Sequence, residues 1–148
     1  LVSPKEDIEA AIVRMFNRIN LPAAQDIEII EALRQETDAV FRVDANTAWT
    51  PEQTLEFAPK LKALGVEFIE QPMKADHWEG MKQIKGKCAL PIIADESCIL
   101  PSDVAKCKDL FDGINIKLMK CGGLTPALQM IEEGRKELAN KLLEIMNA

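Results

Sequence analysis

The sequence predicts an α/β fold in which four parallel strands alternate with helices, with extra helices at both ends. Three observations carry this expectation. From residue 39 onward, short runs rich in Val, Ile and Phe (39–44, 66–70, 90–95 and 114–118) alternate with amphipathic stretches of helical length at 51–64, 78–84 and 102–111. Each run carries a charged residue at or next to its end, at nearly even spacing: Asp44, Glu70, Asp95 and then Lys117, in steps of 26, 25 and 22 residues. One strand plus one helix fills such a step. The helix boundaries, finally, carry capping signals. Strands that alternate with helices pair in parallel through right-handed crossovers.

In chain order, residues 3–20 read as a helix opened by the capping box Ser3-Pro4-Lys5-Glu6, with Ile8, Ile12, Met15, Phe16 and Ile19 as its apolar stripe. Leu21-Pro22 interrupts it, and 26–34 resumes the pattern with Ile27, Ile30 and Leu33. After the first strand, Thr50-Pro51-Glu52-Gln53 combines a capping hydroxyl, a proline at the first helical position and a glutamine able to close a capping box. Gly65 stands where a left-handed C-cap is easiest for glycine. Thr125-Pro126 repeats the start signal. From there to residue 146 the apolar positions Leu128, Ile131, Leu138, Leu142, Ile145 and Met146 read as one long helix. Its single blemish is Gly134, which costs about 1 kcal/mol against alanine in a helix interior. The expected organisation is one domain, 1–148: two N-terminal helices (1–36), strand–helix units (37–124) and a long C-terminal helix (125–148).

Composition removes several function classes. At 148 residues the chain is large enough for a real core, and 47% hydrophobic with 28% charged residues is the balance of a globular protein rather than a disordered one. A net charge of −6 without a Lys/Arg cluster argues against nucleic acid as a partner. No apolar run approaches the roughly 20 residues that span a bilayer, so no membrane partner is expected. The N-terminus lacks the pattern of a secretory signal. Cys88, Cys98, Cys107 and Cys121 form no Cys-x-x-Cys pair, and with His77 as the single histidine they do not read as a zinc site. They read as reduced thiols of a cytoplasmic protein, mostly core fillers.

Neighbouring parallel strands would hold Asp44, Glu70, Asp95 and Lys117 at one rim of the sheet. Three carboxylates there make a hard-oxygen site for a divalent cation, with an ammonium beside it. Left without a cation, they would repel one another, and one would hold a proton near neutral pH. Lys120 is the rival to Lys117, but alternation along a strand sends 117 and 120 to opposite faces, which favours Lys117. Arg42, on the face of Asp44, is a second counter-ion candidate. Trp49, beside a helix start, reads as packing, and Gly122-Gly123 as a tight turn rather than an anion cradle. His77 and Trp78 read as surface.

Four pieces resemble one family in order and spacing: Arg42-Val43-Asp44-Ala45-Asn46, Phe68-Ile69-Glu70-Gln71-Pro72, Ala94-Asp95-Glu96-Ser97, and the run from Ile114 through Asn115, Lys117 and Lys120 to Gly122-Gly123. Over residues 26–131 the chain resembles the middle of a barrel from the muconate-lactonising branch of the enolase superfamily, most of all its dipeptide epimerases of the L-Ala-D/L-Glu type. The resemblance implies half of a TIM-type barrel, containing its third to sixth strands. It implies Asp44, Glu70 and Asp95 as Mg²⁺ ligands, Lys117 as an acid/base group, and a small carboxylate or dipeptide as substrate. Three departures are expected to matter. Val13-Arg14-Met15 stands where the family carries a Lys-x-Lys pair, a continuing helix replaces the last two strands, and the family's capping domain has no counterpart. The inner layer of a half-barrel would face water, so the terminal helices are expected to cover it or to build a homodimer. Besides a plain divalent-cation-binding module, two functions follow. One is an engineered or truncated scaffold without turnover, in which Lys117 is a vestigial base and counter-ion. The other is a magnesium-dependent racemase, epimerase or cycloisomerase, active only when another chain supplies missing strands.

Overall fold

The structure, a computed structural model, describes residues 23–137 and 142–146. The elements are α1 (Ala23–Glu36), β1 (Phe41–Asp44), α2 (Pro51–Ala63), β2 (Val66–Glu70), α3 (Trp78–Ile84), β3 (Ile92–Ala94), α4 (Pro101–Cys107), β4 (Gly113–Lys117), α5 (Leu118–Cys121), α6 (Leu124–Glu137) and β5 (Leu142–Met146). The helix expected over 3–20 lies outside the described residues.

All strands run parallel, in the order β1-β2-β3-β4-β5. The four expected strands form the curled half-barrel of a TIM-type fold. A fifth strand corrects the expectation for the C-terminus: the last helix is described over Leu124–Glu137, and Leu142–Met146 pairs with β4 from Gly113↔Leu142 to Lys117↔Met146. A short apolar run fits a strand as well as a helix, and the open edge of β4 decides between them. Residues 125–148 are therefore not one long helix.

At α2 the local chemistry is the one its cap foretold, whereas α6 begins at Leu124, ahead of the expected start signal Thr125-Pro126. Thr50 Oγ1 accepts from the Gln53 backbone N–H at 3.2 Å, and Gln53 Oε1 accepts from the Thr50 N–H at 2.9 Å, closing the box at the start of α2. At its other end Gly65 has φ +79°, and a Cβ there would lie 3.1 Å from Arg34 Nη2. Arg34 uses that space to donate to the carbonyls of Leu64, Thr37 and Ala39 at 2.7, 3.1 and 2.8 Å, and its guanidinium lies 4.0 Å from the centre of the Phe41 ring.

The core lies between the sheet and its helices. Ile69, Ile92, Ala94, Ile114 and Ile116 from the strands pack with Ala58, Leu61, Met81, Ile84, Val104 and Met130 from the helices. Burying the Ile, Leu, Val and Met side chains among them contributes about 1.5–3 kcal/mol each. The opposite face carries the charged strand ends. Phe68 and Ile93 stand two residues before Glu70 and Asp95, so alternation puts them on that face. They are 1% and 0% exposed, outside the sheet–helix cluster. At these two positions, then, the inner layer does not face water as expected. None of the described helices is long and apolar enough to cross a membrane.

Candidate metal centre

The register staggers the strand ends. Asp44 is level with Glu70, Glu70 is level with Ile93, and Ala94 is level with Ile114, so Asp95 and Lys117 each stand beyond their neighbours. That stagger is the shear of a barrel sheet, and it turns a row of strand ends into a cluster. One carboxylate oxygen each from Asp44, Glu70 and Asp95 lie within 4.8 Å of one another. Oxygen donors at about 2.0–2.6 Å from one cation stand at most about 4–5 Å apart, so the donor set fits a magnesium-class ion.

The lysines fill the rest of the cluster. Lys117 Nζ donates to Glu70 Oε1 at 3.3 Å and to Asp95 Oδ2. Lys120 Nζ reaches both Asp95 oxygens at 2.8 Å and Glu96 Oε1 at 3.1 Å. Here the alternation argument fails. The strand ends at Lys117, and Leu118–Cys121 forms a single helical turn closed by Gly122 at φ +94°. Three residues along a helix return to the same side, so both ammonium groups converge on Asp95. Gly122-Gly123 is thus a helix stop, and it was the one local signal able to reveal the turn.

Burial first, and then the charge of Glu70, push the Asp44 carboxyl up to about 7, against the Asn46 N–H and Lys117. Burial also raises Glu70, although Asn115 Nδ2 donates to its Oε1 at 2.7 Å and Lys117 lies close by. For Asp95 burial acts upward but loses to the hydrogen bonds from Lys117 and Lys120, and its pKa lies below the ordinary value. Lys117 is the mirror image: burial works against its charge, but Asp95 and Glu70 prevail and raise it above the usual lysine value. In this state Lys117 is a protonated counter-ion, and Asp44 is the carboxyl that holds a proton near neutrality, as three crowded carboxylates require.

The sequence alone assigns Gln71 no role of its own. The residue is fully buried with φ +34°. Its Oε1 accepts from the backbone N–H groups of Asp95 and Ser97 at 2.9 and 3.1 Å, and its Nε2 donates to Met73 O and Ser97 Oγ at 2.8 Å each. Four bonds from one amide lock the end of β2 to the loop after β3, fixing Glu70 against Asp95. Arg42 pairs with exposed Glu67 at 2.9 Å and lies over Phe68. Trp49 is packing, edge-on to Phe57 at 5.3 Å. Trp78 is half-buried against Phe111 rather than surface. The four cysteines are free thiols, and Cys98, Cys107 and Cys121 are buried.

The profile of the family described as "Enolase C-terminal domain-like" matches residues 5–135, a wider stretch than the 26–131 that carries the resemblance in sequence. An L-Ala-D/L-amino acid epimerase of Flavobacterium johnsoniae is 57% identical over 119 residues, covering 80% of this chain and 35% of that protein. An L-Ala-D/L-Glu epimerase of Bacteroides thetaiotaomicron is 40% identical over 120 residues, covering 79% and 31%. The dipeptide epimerase of Enterococcus faecalis, solved with Mg and the dipeptide L-Leu-L-Tyr, superposes with a TM-score of 0.77 at 32% identity, over 86% of this chain and 37% of that one. The chain spans about a third of the length of the curated relatives it matches.

Proposed function

The chain belongs to the enolase C-terminal domain-like family, and from that premise we propose that Asp44, Glu70 and Asp95 hold a magnesium ion beside Lys117 for proton transfer alpha to a carboxylate, with a dipeptide as substrate. The observation that carries this reading is the meeting of the three carboxylate oxygens within 4.8 Å, with the Lys117 ammonium on two of those carboxylates. A bound divalent cation offsets the negative charge that builds when the alpha proton leaves. Lys117 lies beside that charge and in its neutral form would accept the proton; a cation on Asp95 and Glu70 would work against the rise that those carboxylates give its pKa. Asn115 holds Glu70, and Gln71 holds the backbone of Asp95, so the donors are in place before substrate arrives.

Epimerisation also needs a group on the opposite face of the substrate carbon. Val13-Arg14-Met15, at the expected place of that group, lies outside the described residues. Turnover therefore requires a base from beyond the described residues, supplied by another chain. A second reading has its own support: with Lys117 and Lys120 on Asp95, the fold neutralises its carboxylates without a metal. In that reading the chain is an engineered or truncated scaffold that keeps the site but does not turn over. The free thiols support a cytoplasmic setting for either.

One experiment separates the two. Magnesium is titrated by calorimetry, and exchange of the alpha proton of L-Ala-L-Glu is followed by NMR in deuterated water. Magnesium binding with exchange that disappears in Lys117→Met supports the enzyme. Binding without exchange supports the scaffold. A chain that binds no magnesium removes the enzyme and leaves a scaffold whose carboxylates are held by its own lysines.

A further inference from the structure

We propose that Lys120 is a resident counter-ion with two berths, seated on Asp95 in the cation-free protein and passed to Glu96 when a divalent cation takes Asp95. This deepens the metal-site reading and rests on it. Asp95 is 2% exposed and has no oxygen to spare: Lys120 sits 2.8 Å from both, and Lys117 shares Oδ2. A cation that joins that carboxylate favours withdrawal of an ammonium, because like charges at contact distance in a poorly hydrated site repel strongly.

The two lysines are not equivalent in this exchange. Both carboxylates that Lys117 touches belong to the donor set, and its side chain is 18% exposed. Lys120 is 35% exposed and already touches a carboxylate outside that set, Glu96. The second oxygen of Glu96, Oε2, is buried and has no hydrogen-bond partner among the described residues. A buried acceptor in that state is costly, and an ammonium moving fully onto Glu96 relieves the cost. No backbone change is needed, since Nζ already spans both carboxylates from a turn fixed by Gly122. Lys120 in this account is a positioning residue, not a catalytic one: it decides what holds Asp95.

The test is a double-mutant cycle on the full chain, with magnesium chloride titrated by calorimetry into wild type, Lys120→Met, Glu96→Gln and the double variant. Lys120→Met is expected to tighten binding about tenfold, and Glu96→Gln to weaken it about threefold. In the Lys120→Met background the Glu96→Gln change should fall below about 1.5-fold, because the second berth then has no occupant. Equal Glu96→Gln effects in both backgrounds, the signature of independent charges, would overturn the proposal, as would a Lys120→Met variant that binds no tighter. Melting in chelator and in saturating magnesium gives a second readout. Lys120→Met should melt below wild type in chelator and lose that deficit with magnesium, whereas an equal deficit in both would mark a merely structural lysine and overturn the transfer. Magnesium binding by wild type with additive mutant effects sinks this proposal alone. Absence of binding in all four forms sinks the site reading, and the proposal with it.

Discussion

Each end of the sheet holds an aspartate paired with lysine, yet the two ends do different work. At the amino end, Asp112 Oδ1 accepts from Lys85 at 2.7 Å, and Oδ2 accepts from the Ile92 N–H at 3.0 Å, stitching the starts of β3 and β4. One ammonium and one amide satisfy one carboxylate, 40% exposed. At the carboxyl end, Asp95 is almost wholly buried and shares two lysines with Glu70 and Glu96, while Asp44 crowds the same space. The amino end is electrostatically settled. The carboxyl end is not, and a barrel sheet places its chemistry at that end.

Three perturbations break or sharpen this contrast. Gln71→Leu should act most strongly, since it strands the amides of Asp95 and Ser97, Ser97 Oγ and Met73 O in a buried site. A loss of about 3–5 kcal/mol in chemical denaturation is expected, with the response to magnesium abolished. Next comes a matched pair. Asp95→Asn leaves two lysines without their buried partner and should cost about 2–4 kcal/mol together with magnesium binding. Asp112→Asn should cost about 1 kcal/mol and leave magnesium binding intact, and a loss of binding there would erase the distinction between the ends.

The smallest effect is in pH. The Asp44 carboxyl titrates at about 7 in the folded chain, whereas an unfolded aspartate releases its proton near pH 4. Between those values the unfolded state holds fewer protons, so this group's contribution to stability falls as pH rises and is at its lowest above 7. In chelator, the melting temperature of Asp44→Asn relative to wild type should therefore climb from pH 5 to 8. Magnesium competes with that proton, and its affinity should decline as pH drops below about 7.

Much of this end was legible in the chain because strand-plus-helix spacing is a long-range signal that local error does not destroy. Asp44, Glu70, Asp95 and Lys117 needed only the right number of crossovers. Lys120 was misplaced because one residue decides whether strand periodicity continues, and the strand stops at Lys117. Gln71 was illegible for another reason: its role is a set of hydrogen bonds between segments 24 and 26 residues apart, and nothing in Glu-Gln-Pro announces that the amide turns inward. Leu142–Met146 went to the wrong class because its partner, β4, lies outside any local window.

Arg34 has a consequence for motion. Its guanidinium gathers carbonyls from the end of α2 and from the approach to β1, and it rests on the first residue of that strand. Asp44 lies three residues further along the same ribbon. Hydrogen exchange in α1 is thereby tied to that of β1, since the helix cannot fray back past Arg34 without loosening the strand. Removal of the Arg34 side chain is thus expected to loosen β1 and, with it, the hold on the first carboxylate.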